Sequence, residues 1–206
     1  MSSEKTPDYS FKTEIFRKSI HLNALFIILI YEFYGKQIIL YFLIIFLAAS
    51  LGLEYLRLEH GMKIPFNSTL RYKEKKVIGG YVFFQIGAIL AISVFSKEIA
   101  ILSILMATFG DISAALFGRA YGKHFITGLK NKAIEGVTAE FIVDLLVGFS
   151  YLYLFVNINP LWLFVLVTMA VVATATETLS GKIDDNLIVP IYAGIVGEFL
   201  VLILLL

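Results

Sequence analysis

The sequence predicts an all-α fold, a polytopic transmembrane helical bundle of about seven spans with its N-terminus cytoplasmic and its C-terminus external. Three observations carry that prediction. Of the 206 residues 59% are hydrophobic, with a mean hydropathy of +0.85, whereas soluble domains hold about 45–50% apolar residues. The apolar residues gather into runs of about 18 or more, the length that crosses a bilayer. The basic residues, finally, alternate between the segments that join those runs, which sets an orientation.

The spans are expected at 16–34, 38–55, 77–95, 99–117, 137–156, 161–179 and 187–204. The short link Asn157-Ile158-Asn159-Pro160 implies a helix hairpin. The polar segment 1–15 precedes the first span. It lacks a short hydrophobic core followed by a small-residue cleavage site, so no removable signal peptide is expected. One integral membrane domain, 1–206, accounts for the chain. Fifteen of the 17 Lys and Arg fall before or at the inner end of span one, or between spans two and three, four and five, and six and seven. Only Lys36 and Lys97 fall on the other side, so the odd-numbered links are external and the N-terminus is inside. The absence of cysteine excludes disulfides and thiolate chemistry.

The stretch 108–136 concentrates what the apolar runs lack. Asp111 lies inside span four, where a carboxylate is costly and by default functional. Asp111, Ala115, Gly118 and Arg119 share one helical face. This face reads either as a small-residue packing seam or as a metal-binding carboxylate with Arg119 placed for phosphate. Arg119, Lys123, Lys130 and Lys132, interspersed with Gly118, Gly122 and Gly128, suit a polyanion such as a nucleoside triphosphate. Lys132 precedes Glu135-Gly136, which opens span five, and a helix N-terminus with free N–H groups favours a phosphate there. The P-loop pattern GxxxxGK[ST] is absent.

A second polar cluster occupies 173–190. Asp185 or Asn186 can cap span seven, with Pro190 near its first turn. Capping leaves Glu177, Asp184 and Asp185 to complete a Mg²⁺ shell with Asp111, or to position a hydroxyl for deprotonation. Arg17, Lys18 and His21 share the inner end of span one, and Glu54 that of span two. Glu140 and Asp144, four residues apart, extend the acidic face into span five. Glu198 stands apart in span seven, suited to an internal hydrogen bond or a proton-linked role.

In order and spacing these residues resemble the polyprenol kinase family, which includes dolichol kinase, phytol kinase and CTP-dependent diacylglycerol kinase. The likeness runs from Arg17-Lys18-x-x-His21 through Gly110-Asp111, Gly118-x-x-x-Gly122 and Lys132-x-x-Glu135-Gly136 to Glu177 and Asp185-Asn186-x-x-x-Pro190. It implies a multi-pass enzyme that moves the γ-phosphoryl group of CTP to a lipid alcohol at the cytoplasmic face, in the cell membrane of a prokaryote or the endoplasmic reticulum of a eukaryote. Mg²⁺, CTP, a lipid alcohol and the bilayer are then its partners, and nucleic acid is not. The resemblance singles out Asp111, Lys132, Glu135, Asp185 and Asn186. CDP-lipid synthases share the Asp…Gly-Arg…Lys…Glu-Gly arrangement, but their His-Gly-Gly signature is missing after Lys182. An ion-coupled transporter would spread its polar groups through the membrane depth, whereas here most crowd one face.

Overall fold

The computed structural model describes residues 22–63, 76–129, 132–181 and 183–204. Its described residues form seven helices: α1 (Ala24–Tyr34), α2 (Lys36–His60), α3 (Gly80–Val94), α4 (Lys97–Tyr121), α5 (Ile134–Phe155), α6 (Pro160–Leu179) and α7 (Asp185–Leu204). Helices α2, α4, α5, α6 and α7 are long and apolar enough to cross a membrane, and the chain is an integral membrane protein. Helices α1 and α3 have 11 and 15 residues, short of the roughly 20 that a perpendicular span needs. Residues 16–21 of the first expected span lie outside the described residues. The third begins at Gly80 rather than 77, behind Gly79 in extended backbone.

Helix α4 is the axis of the bundle. In its most apolar stretch 72% of residues are buried, against 22–39% in the other four long helices. Every residue from Ile99 to Leu105 is buried, and Ile92, Leu152, Met169 and Ala193 from α3, α5, α6 and α7 complete the same core. Helix α7 packs against α3, α4 and α6, and α5 lies along α4. The α1–α2 link is a single residue, Gly35, at φ 86°, a conformation that needs glycine.

Away from the clusters that drew attention in the sequence, polar side chains join helices. Ser96 N–H and Oγ each donate to Glu198 Oε2 at 2.8 Å, so Glu198 caps the start of α4. This is the internal hydrogen bond, and it accounts for a carboxylate within α7. Nearby, Lys97 Nζ reaches Glu32 Oε1 at 2.8 Å, and Tyr151 OH donates to Glu32 Oε2 at 3.3 Å. Between α2 and α3, Glu54 pairs with Arg57 and accepts from Tyr81 OH at 2.6 Å, while Arg57 Nη2 donates to the Val77 carbonyl at 2.7 Å.

Candidate functional site

Five residues of α4, Met106–Gly110, are wound as a π-helix immediately before Asp111. Such wide turns accommodate one extra residue and recur at functional sites. Thr108 Oγ1 donates to the Ile104 carbonyl at 2.7 Å and Ser113 Oγ to the Gly110 carbonyl at 2.8 Å, tying hydroxyls to both flanks of the turn. Asp111 leaves it buried, facing the ends of α6 and α7.

There it meets Glu177 from the last turn of α6 and Asp185 from the first residue of α7. One carboxylate oxygen from each lies within 4.8 Å of the other two. Asp111 and Glu177 are buried and Asp185 half-buried. Lys132 Nζ approaches Glu177 Oε1 at 3.3 Å. Oxygens around a six-coordinate Mg²⁺ at about 2.0–2.1 Å stand roughly 3–4 Å apart. Three hard oxygen donors from three rigid helices therefore fit a small divalent cation with little movement.

Asp184 takes another part. Its Oδ1 accepts from the Asn186 N–H at 3.1 Å and from Asn186 Nδ2 at 2.8 Å, and its carbonyl receives the N–H of Leu187 at 3.1 Å. Asp184 is thus the cap of α7, where Asp185 or Asn186 was expected, because the helix starts one residue earlier than the cap reading placed it. It lies outside the carboxylate trio. Pro190 falls beyond the first turn, inside the helix. It offers no N–H to the Asn186 carbonyl four residues back, and that carbonyl faces Gly87, where a Cβ would stand 2.8 Å away.

The α4–α5 connection is a folded loop. Phe125 bridges Ala133 in antiparallel fashion, Ile126 N–H donates to the Lys132 carbonyl at 2.9 Å and Ile134 N–H to the His124 carbonyl at 2.9 Å. Gly128 turns it at φ 87°. Glu135 secures the loop. It accepts from the Lys123 N–H at 3.1 Å and the His124 N–H at 3.2 Å, and His124 Nδ1 lies 2.8 Å from Oε1. Glu135 thus ties the loop to the first turn of α5, and Lys132 is directed to Glu177.

The glycines read as phosphate-cradling have packing reasons. A Cβ on Gly136 would stand 2.7 Å from the Ala114 carbonyl and 3.0 Å from Gly118 Cα, and one on Gly122 would stand 2.9 Å from Ala133 Cβ. Here α4 and α5 touch backbone to backbone. Arg119 and Lys123 are exposed at the end of α4 and in the loop. Arg17, Lys18, His21, Lys130 and Lys182 lie outside the described residues.

The sequence understated Glu140 and Asp144. Both are buried, and both lie against Gly110: Asp144 Oδ1 is 2.7 Å and Glu140 Cγ 3.2 Å from where a Cβ would stand. The signal available was two carboxylates one turn apart inside an apolar run.

No protein-family profile matches the chain, and no solved structure does. Among curated proteins it is 29% identical to CTP-dependent diacylglycerol kinase 1 of Schizosaccharomyces pombe, across 94% of this chain and 97% of that one. The chain is a homologue of a polyprenol-kinase-family enzyme. It is also 28% identical to an uncharacterized protein of Rickettsia prowazekii, across 91% and 93% of the two chains. The enzyme of the same name from Saccharomyces cerevisiae aligns at 27% identity over 70% of this chain and 52% of its own length. This homology supports a lipid kinase.

Proposed function

We propose that the protein transfers the γ-phosphoryl group of CTP to the hydroxyl of a lipid alcohol, at the membrane face where α4, α6 and α7 bring their carboxylates together. The observation that carries the reading is the convergence of Asp111, Glu177 and Asp185 beside Lys132, in a chain homologous along its length to a CTP-dependent lipid kinase. Phosphoryl transfer asks a protein mainly to position reactants and to offset charge on the moving group.

Asp111, Glu177 and Asp185 would hold Mg²⁺, which when bound would offset charge developing on the donor phosphates. Lys132 and the exposed Arg119 and Lys123 supply positive charge on the side from which a nucleotide arrives, with Lys130 in the same connection. Glu135 keeps Lys132 in register by fastening the loop to α5. The lipid oxygen forms the new bond to the γ-phosphorus while the bond to the β,γ-bridging oxygen breaks and CDP departs. Asp185, the least buried of the trio, is placed to accept the hydroxyl proton. Arg17, Lys18 and His21 complete the proposed set from the inner end of span one, and Asn186 orients the first turn of α7.

Incubation of the purified full chain with labelled CTP, Mg²⁺ and a panel comprising polyprenol, geranylgeraniol, phytol and diacylglycerol tests the reading. The expected products are CDP and one lipid monophosphate. Pyrophosphate and a CDP-lipid would make the protein a cytidylyltransferase, and ion movement without nucleotide turnover would make it a transporter.

A further inference from the structure

Asp144 is completely buried, and neither of its carboxylate oxygens has a hydrogen-bond partner. Glu140, one turn earlier on α5 and 1% exposed, leaves Oε2 equally without one. Both face the gap left by the missing side chain of Gly110, at the end of the π-turn that delivers Asp111. Glu177 is near enough for its charge to act on both. It lies between Thr174 and Thr178 on α6, whose buried hydroxyls also lack partners, as does Asn186 Oδ1.

So many oxygens without donors, in the interior of a bundle, call for protons or a cation. A proton supplies one O–H donor, whereas a cation meets several oxygens at once. Two carboxylates, with hydroxyl and amide oxygens on the helices that carry Glu177 and Asp185, are the oxygen ligands of a hard cation.

We propose that Glu140 and Asp144 form a second divalent-cation site, adjoining the Asp111–Glu177–Asp185 cluster across Gly110. It rests on that cluster being the first such site. Gly110 leaves the room for it: any side chain there would intrude on Asp144. The second ion binds without nucleotide, because its ligands come from helix interiors that the core already fixes.

Equilibrium dialysis of the purified full chain in detergent against Mn²⁺, without nucleotide, tests this. Wild-type protein should bind two ions per chain. The Glu140→Gln/Asp144→Asn variant should bind one, and Asp111→Asn should bind one. If a folded Glu140→Gln/Asp144→Asn variant keeps the full wild-type complement, the second site is lost. A wild-type stoichiometry of one overturns it whether or not that variant folds. Should Asp111→Asn keep both ions while Glu140→Gln/Asp144→Asn loses one, the second site stands and the metal assignment at Asp111 fails.

Discussion

Asp111 is held by its surroundings more firmly than a surface ligand would be. It follows a π-turn, it is buried, and its carboxylate meets those of two other helices. Asn has nearly the same shape without the charge. Asp111→Asn is therefore expected to insert and accumulate like wild type while turnover falls 100-fold or more, equivalent to about 2.7 kcal/mol of transition-state stabilisation. Steady-state rates at saturating Mg²⁺, read beside the thermal midpoint, check this. Were Asp111 a packing residue, the midpoint would drop and turnover per folded molecule would hold. At this scale much was legible in the sequence, because a carboxylate inside an apolar run is conspicuous. Glu135 was not, since its role depends on a loop fold that brings two backbone N–H groups to it.

Between elements, the contact that positions the site is the approach of α4 to α5. Gly118 and Gly136 leave backbone against backbone, and a Cβ on Gly136 would come within 2.7 Å of a carbonyl that the helix cannot move. Gly136→Val should cost about 1–3 kcal/mol through overpacking, seen as a lowered thermal midpoint in detergent. Gly52→Val on α2 is the control, for nothing lies within 4 Å of that position. Equal losses at the two sites would show that glycine replacement, not close approach, governs stability. Small residues four apart announced a seam in the sequence, but they read equally as room for phosphate. The placement of α5 shows the packing, which the sequence alone did not. The π-turn left no sequence signal, since Met-Ala-Thr-Phe-Gly suits an ordinary helical turn as well.

For the molecule as a whole, the seven apolar segments and their order were readable because hydropathy alone determines them. The start of α3 was not, because apolar residues such as Val77 and Ile78 that precede a helix look the same as those within one. The distribution of Lys and Arg predicts an N-terminus inside, and an odd number of crossings would then put the C-terminus outside. A reporter fused after Leu206 is expected to be active only when it senses the external side. Cytoplasmic activity from a correctly inserted chain would mean that one segment does not cross, and α1 is the first to suspect on its 11 described helical residues.

The wide turn in α4 also makes that helix two phases of one register. Relative to a regular helix, Met106–Gly110 carries the equivalent of one residue too many. Deleting Ala107 would let the segment close into a regular α-helix with both flanks facing as before, Ile99–Leu105 toward the core and Asp111 toward Glu177 and Asp185. Inserting one alanine after Ala107 would instead add a second excess residue and rotate everything beyond by roughly 100°, so that either Ile99–Leu105 would leave the core or Asp111 would turn away. Suppressors of such an insertion, selected for recovered activity, should be single-residue deletions within 106–110 that restore the count. Substitutions elsewhere change which side chains are present, but they cannot reset the phase.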